Sequence, residues 1–437
     1  MILYDAVAEV ARRAPARGAV AWGGARLSYG EFVDAVRRRA DAIGDRPTPL
    51  ALDAGSPLAF VVDFFAARSR GRSAVAHPEG APPALRALRD EAAGRWPYPP
   101  GGATVFFSSG SAGASKAVAL SDANLAAAAL AFDAWGELAA GDRVAVGLSP
   151  AQILGFVRGA LNALAVGAEA VFFEPGRDPL ADAERLGADK ALLPAALVRL
   201  AAHHASRPKL SALQCGGGAL DVAAADAVEL CRGVPVRAGY GMTESAGLGA
   251  RQPLSRKRRA GTVGVAAPGL TVDVVSESGH ACGPGEPGEV RLSGAAVFAG
   301  YLDPRDASPF DAEGRLRTGD VGEWDGDGEL RIRGRRAFAL VSGDRTICAE
   351  EVEAALAEHP AVAEAAAAPL GHSFGVLIVA RDGNVPLPEI REFAERRLPA
   401  FARPRRFAAA PELPRTAAGK IDRAEVSRWL KTQDAGA

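Results

Sequence analysis

Short apolar runs alternate with alanine-rich stretches of helical spacing through roughly the first 330 residues. Ile2, Leu3, Ala6, Val7 and Val10 recur at the spacing of one helical face. Arg26 to Ile43 reads as a turn into an amphipathic helix, with Ser28 as N-cap and Glu31 completing a capping box. Leu58 to Ala67 predicts another helix and Ser73 to Ala76 a short strand. The runs Val105–Phe107, Val144–Leu148, Ala170–Phe173, Ala191–Leu193 and Leu213–Cys215 predict further strands, with a helix over Leu120 to Leu130 capped by Ser121. Strands separated by helices are the α/β pattern.

The pattern changes at Gly326 to Arg336, GDGELRIRGRR, which is rich in charge and glycine. Beyond it come a strand (Phe338–Val341), a helix (Ala349–His359), a strand (Gly375–Ala380), a helix (Leu387–Leu398) and a Pro/Arg-rich stretch. We therefore expect a large α/β domain over 1–334 and a small α+β domain over 335–437. A chain of 437 residues is long enough for that division.

The net charge of −1 gives no electrostatic reason to expect nucleic acid or an anionic membrane as partner. Small-molecule chemistry is the expectation. Cys215, Cys231, Cys282 and Cys348 lack paired spacing, so neither a zinc site nor a disulfide framework is suggested. The start lacks the basic and apolar regions of a signal peptide, and Gly159 to Phe173 is interrupted by Asn162 and Glu169. A soluble, cytoplasmic protein is expected.

Thr104 to Val118, TVFFSSGSAGASKAV, is the stretch with the clearest chemistry. An apolar strand feeds small residues that let backbone N–H groups approach a polyphosphate, with Ser108, Ser109 and Ser111 as further donors and Lys116 as a point charge. A Walker loop is excluded, because Ser115 stands where its second glycine belongs and Ala117 follows the lysine. Gly239 to Glu244, GYGMTE, places glycines around an aromatic, then a hydroxyl and a carboxylate, suited to a flat base and a metal-bound phosphate. In RTGD, Asp320 is a natural acceptor for vicinal hydroxyls, and Gly334-Arg335 follows. Near the C-terminus LPRTAAGKIDR carries Lys420, a cation suited to bridging two reacting anions.

These stretches, in this order, resemble the markers of the AMP-forming adenylating enzymes: acyl-CoA synthetases, peptide-synthetase adenylation domains and luciferases. The resemblance runs over most of the chain and is nearest to small ligases of the o-succinylbenzoate–CoA type. It rests on Ser108, Ser109, Gly110, Ser111, Gly113 and Lys116 in the loop, all specified positions of GYGMTE, and Leu413 to Arg423. It implies MgATP and a carboxylic acid as substrates, an acyl adenylate as intermediate and CoA as acceptor. Tyr240 and Gly241 would lie at adenine, Thr243 at the α-phosphate, Glu244 at Mg²⁺, Asp320 and Arg335 at the ribose, and Lys420 at the reacting centre. CGGGAL resembles the loop beside the acyl site, with Gly217 and Gly218 also toward the nucleotide, and Gly288 to Tyr301 resembles the family's Gly-Glu to Gly-Tyr segment. The acid pocket would be formed by Gln152, Gly155, Gly216, Gly217, Gly239, Met242 and Gly247.

The chain departs from the pattern at Ala112, Ser115 and Ala117 in the loop and at Gln152, where an aromatic or His is usual. After Gly334-Arg335 the hinge reads Arg336-Ala337, with an apparent one-residue deletion. These departures leave open transfer to a carrier-protein phosphopantetheine instead of CoA, or a non-catalytic relative. An amidase is a third alternative, without triad spacing beyond the loop. Arg158 is either a partner for a second substrate carboxylate or a solvent-facing charge. The run Arg256, Lys257, Arg258, Arg259 is a solvated loop or a contact for CoA phosphates or an acidic carrier protein.

Overall fold

The computed structural model describes residues 2–45, 48–78, 83–94, 96–99, 101–108, 115–342, 345–415 and 421–432. Its largest sheet has nine strands, with the chain order inverted at its centre. Five neighbouring pairs, from Gly18–Trp22 through Glu169–Phe172, Arg143–Val146, Lys190–Pro194 and Ala212–Gly216 to Val236–Gly241, run parallel. Antiparallel strands close each edge. Leu192, Leu193, Leu213 and Val236 are buried, as the near-continuous apolar runs of a covered parallel sheet require.

A second sheet orders Leu50–Asp53, Ala74–His77, Thr104–Phe107 and Ala117–Leu120. Here the structure corrects the sequence reading: Ala117 to Leu120 is a strand antiparallel to Thr104–Phe107, and the helix starts at Asp122. Four alternately packed residues are too short to announce themselves. Ser121 does cap the helix, accepting from Asn124 N–H, and Asn124 reciprocates. Ser28 and Glu31 form the expected box.

The two sheets share a core in which Phe156 is the common contact. Its ring centroid lies 5.5 Å from Phe60, 4.8 Å from Phe64 and 5.5 Å from Phe106, largely edge-on. Phe156 sits in a π-helix, Gly155–Leu161. Gly159 lies against Val146 there, where an added Cβ would come within 2.7 Å of its side chain. A four-stranded antiparallel sheet, Leu270–Val275, Gly288–Gly294, Leu316–Trp324 and Leu330–Arg335, follows in the chain.

After it come a hairpin, Ala339–Ser342 with Arg345–Cys348, and a three-stranded sheet of Val362–Leu370, Ser373–Ala380 and Arg406–Ala409. Among the described residues no sheet joins strands before 335 to strands after it. Val362–Leu370 is alanine-rich, yet it pairs along its length with Ser373–Ala380. Its short side chains let the helices Ala349–Ala357 and Arg423–Thr432 lie close, so tertiary packing overrides the helix propensity of alanine. The whole is an α/β protein with a large N-terminal and a smaller C-terminal part.

Arg232 shows how charge is buried in the large part. It is 1% exposed and donates to both carboxylate oxygens of Asp178, at 2.7 and 2.9 Å, and to Ala201 O and Ser206 O. Burial raises the Asp178 pKa, but bonds from Arg232, Ser206 and the Ala181 N–H outweigh it and leave it below the ordinary value. Arg232→Ala is expected to cost about 3 kcal/mol in urea denaturation at pH 7, because Asp178 loses its partner. A depressed folded pKa contributes stability above the unfolded value, about 3.9, and loses it as pH falls through the folded one. The gap between wild type and variant should therefore narrow below about pH 4.

Candidate functional site

The strand Val236–Gly241 has its parallel neighbour as far as Ala238, and beyond Gly241 the chain turns back to pair with it antiparallel through Gly249–Arg251. Only glycine permits so tight a return: a Cβ on Gly241 would lie 2.3 Å from Gly247 O, and one on Gly249 2.4 Å from Tyr240 O. Between them Ala246 takes a left-handed backbone, φ 53°, which is uncommon for a residue with a Cβ. Ser245 braces the turn by donating to Met242 O and Leu248 O. The result presents Tyr240, Thr243 and Glu244 from one compact bend.

Tyr240 is half-buried, and its hydroxyl donates to Asp320 Oδ2 at 2.6 Å. Arg335 Nε lies 2.6 Å from Asp320 Oδ1. Asp320 and Arg335 are register partners on adjacent antiparallel strands. Thr318 steadies both, accepting from the Asp320 N–H through its hydroxyl and from Arg335 Nη1 through its carbonyl. Burial raises the Asp320 pKa, opposed by the Arg335 charge and the Tyr240 bond. Burial, then the Asp320 charge, push the Tyr240 pKa well above its ordinary value. Both oxygens of one carboxylate are thus aimed by a cation and a hydroxyl, a geometry that suits vicinal hydroxyl donors.

Glu244 lies in the short turn Thr243–Ser245 and is 5% exposed. Tyr301 donates to Glu244 Oε1 at 3.1 Å, and Lys116 Nζ sits 4.2 Å from the Tyr301 ring centroid. Lys116 Nζ is also 3.6 Å from Asp306 Oδ1. The Tyr301 backbone is fixed by a bridge to Val118 and by the Leu302 N–H on Ala117 O. Burial raises the Glu244 pKa, while Tyr301, Arg335 and Lys116 pull it down. Among the described residues no group of three His, Cys, Asp or Glu side chains could hold a metal alone. A Mg²⁺ at Glu244 would take its other ligands from phosphate and water, as that ion commonly does.

The hairpin of Thr104–Phe107 and Ala117–Leu120 is closed by the Ser108 N–H on Lys116 O, 2.9 Å, and the Lys116 N–H on Ser108 Oγ, 3.0 Å. Ser109, Gly110, Ser111 and Gly113, and also Lys420, lie outside the described residues. On the expected acid side, Ile153 and Leu154 abut Gly216 and Gly247: a Cβ on Gly216 would lie 2.9 Å from Leu154 Cδ2, and one on Gly247 3.7 Å from Ile153 Cγ2. Gly155 packs on Ser149 O, and Gly239 faces the Arg251 stem. Met242 is half-buried in the bend, whereas Gln152, Gly217 and Gly218 are exposed.

Tyr301 and Asp306 join the site without having been singled out individually from sequence. The end of the Gly288 to Tyr301 segment was the signal for the tyrosine. In the basic run, Arg258 pairs with Asp226 and Glu229, and Arg259 with Asp325 and Asp327. Only Arg256 and Lys257 of the run stand exposed. Arg158 is buried, which removes its solvent-facing reading.

Known proteins resemble the chain over most of its length. Residues 75–302 match the AMP-binding enzyme family and residues 351–420 the AMP-binding enzyme C-terminal domain. An indoleacetate–CoA ligase of Aromatoleum aromaticum is 33% identical over 46% of this chain and 41% of its own length. An oxalate–CoA ligase of Arabidopsis thaliana is 29% identical over 76% and 68%. A 2-succinylbenzoate–CoA ligase of Bacillus licheniformis is 34% identical over 52% and 48%. The chain thus spans from about two fifths to two thirds of the length of these curated relatives. In fold it is similar to the o-succinylbenzoate CoA synthetase of Bacillus subtilis in complex with its acyl-adenylate intermediate (TM-score 0.84, 21% identity, 96% of this chain and 97% of that one). ATP-bound MatB from Rhodopseudomonas palustris is equally similar (TM-score 0.84, 20% identity, 98% of each). With just over half of its length matched by one family and a further segment by that family's C-terminal domain, the chain belongs to the AMP-binding enzymes.

Proposed function

We propose that the protein is an AMP-forming acid–CoA ligase. A carboxylate oxygen attacks the α-phosphorus of MgATP, and pyrophosphate leaves. The sulfur of CoA then attacks the carbonyl carbon of the acyl adenylate, and AMP departs with the electron pair of the broken C–O bond. The observation that carries this reading is the Asp320 carboxylate held by Arg335 and by Tyr240, the last of which lies on the same bend that supplies buried Glu244. That arrangement suits a ribose at one end and a metal-bound phosphate at the other. The named relatives, which join indoleacetate, oxalate or 2-succinylbenzoate to CoA, support the same class of reaction.

In this reading Asp320 and Arg335 bind the ribose, Tyr240 and Gly241 the adenine, Thr243 the α-phosphate and Glu244 the Mg²⁺. Ser108, Ser109, Gly110, Ser111, Gly113 and Lys116 cradle the outgoing pyrophosphate, with Gly217 and Gly218 beside the nucleotide. The acid lies among Gln152, Gly155, Gly216, Gly217, Gly239, Met242 and Gly247. No covalent nucleophile is needed, since catalysis comes from positioning and charge stabilisation. The segment 335–437 delivers Lys420 to offset the repulsion between carboxylate and phosphate, then turns about Arg336 to admit the thiol. Arg336 to Glu277, 3.0 Å, and Arg333 to Glu351, 2.7 Å, are ion pairs across that border. The first is solvent-exposed and costs little to open, whereas the second is largely buried. All four cysteines are free, in keeping with a reducing cytosol.

Pyrophosphate release from MgATP across aryl, fatty and dicarboxylic acids, with and without CoA, tests the proposal. Release that needs one acid class is the expected result, and formation of its CoA thioester completes it. Transfer only to a holo-carrier protein would replace the acceptor. Failure to bind ATP would overturn the reading. Lys420→Ala should slow pyrophosphate release about 100- to 1000-fold while ATP still binds. Asp320→Asn, which exchanges a charged acceptor for a neutral amide, should raise KM for ATP about ten- to a hundredfold. Tyr301→Phe should raise the Mg²⁺ concentration for half-maximal activity several-fold, since Glu244 loses its hydroxyl partner.

A further inference from the structure

Asp306 has no part in either half-reaction, yet its carboxylate faces the lysine that cradles the outgoing pyrophosphate. Lys116 Nζ lies 3.6 Å from Asp306 Oδ1 and 4.2 Å from the centroid of the Tyr301 ring. Among the described residues Lys116 and Asp306 are each other's single ion-pair partner. The distance exceeds a hydrogen bond, and the two side chains are 37% and 24% exposed, so the pair opens at little cost.

Backbone contacts bring this pair together. Ala117, next to Lys116, accepts from the Leu302 N–H at 2.9 Å, and Val118 forms a bridge with Tyr301. Leu302 is 7% exposed and packs with Val75, Val105 and Ala117. From this anchored point the chain turns through Asp303 to Asp306, whose N–H donates to Asp303 O at 3.1 Å. The stretch carries two carboxylates with different partners. Arg305 donates to both oxygens of Asp303, from Nε at 2.8 Å and from Nη2 at 2.7 Å. Asp303 is thereby neutralised in place, and Asp306 is left to face Lys116.

A lysine in a phosphate site needs a counter-charge in both states of that site. Bound pyrophosphate supplies one. Once it leaves, the Tyr301 ring face still attracts the ammonium but carries no net charge, and the Tyr301 hydroxyl is engaged with Glu244. Asp306 supplies the missing charge. A contact made only in the empty state stabilises that state, so it weakens phosphate binding by the same factor.

Resting on the acid–CoA ligase reading, we propose that Asp306 is a positioning residue that holds Lys116 over Tyr301 while the phosphate site is empty and yields it to pyrophosphate when the site fills. Release of pyrophosphate then returns the lysine to a waiting carboxylate. No bond is made or broken in the exchange, since one counter-ion replaces another. Asp306 acts on the reaction only through Lys116.

Calorimetric titration of the full chain with magnesium pyrophosphate tests the proposal, with the melting temperature of each variant as the check on folding. Asp306→Asn should bind pyrophosphate about two- to fivefold more tightly than wild type, and Asp306→Glu, which keeps the charge, should stay near wild type. In a Lys116→Met background the same Asp306→Asn change should leave pyrophosphate affinity unaltered, because no ammonium remains to be exchanged. Tightening that persists without the lysine would be plain repulsion between Asp306 and phosphate and would overturn the proposal. So would an Asp306→Asn affinity equal to or weaker than that of wild type, or pyrophosphate that binds none of these proteins. Lysine-dependent tightening in a chain that shows no acid-dependent ATP–pyrophosphate exchange would uphold the counter-ion role and count against the ligase reading instead.

Discussion

One carboxylate holds the site together. Asp320 belongs to the antiparallel sheet, Tyr240 to the last parallel strand of the nine-stranded sheet, and Arg335 to the final strand before the C-terminal part. Their three side chains meet within hydrogen-bond distance, and Asp320 is buried where an unpaired carboxylate would be costly. The cost of leaving Asp320 unpaired fixes the two sheets relative to each other at their binding ends. The same interaction sets the point from which the chain departs toward the smaller part.

The other end of the site is built by backbone. Tyr301 reaches Glu244 and Lys116 because residues 301 and 302 are stitched to the strand Ala117–Leu120, while the Phe298 N–H donates to the Glu244 carbonyl. A strand, a turn and a distant loop are thus locked before any side chain engages a ligand. Phe156 does the corresponding work beneath, joining the rings of Phe60 and Phe64 on the helix Pro57–Ser69 to that of Phe106 on the second sheet. Rigid support of this kind is what a site working by position and charge requires.

The polar positions that the fold brings together were easier to read from the sequence than the scaffold. GYGMTE, RTGD and Gly334-Arg335 could be read because each carries a polar group that a turn alone does not demand. The alternation of apolar runs and capped helices disclosed the α/β core. What stayed hidden was set by long-range contact. Ala117 to Leu120 becomes a strand only because Thr104–Phe107 lies beside it, and Val362–Leu370 carries the composition of a helix. Asp306 had no local signature at all, since its place beside Lys116 is made by the fold. Arg158 could be named but not placed, because whether an arginine faces solvent or core depends on strands more than fifty residues away.

The π-helix Gly155–Leu161 has a bearing on how this region can be compared between proteins. A π turn closes each hydrogen bond over one more residue than an α turn, so it accommodates an extra residue without lengthening the helix by a full turn. Side chains beyond it point in directions offset from those of an uninterrupted α-helix with the same start. Position-by-position alignment to an α-helical counterpart must therefore slip by one residue, before the turn or after it. Gln152 stands on the near side of that slip and Arg158 within it, so spacing counted along the chain from one to the other does not follow the face of a regular α-helix.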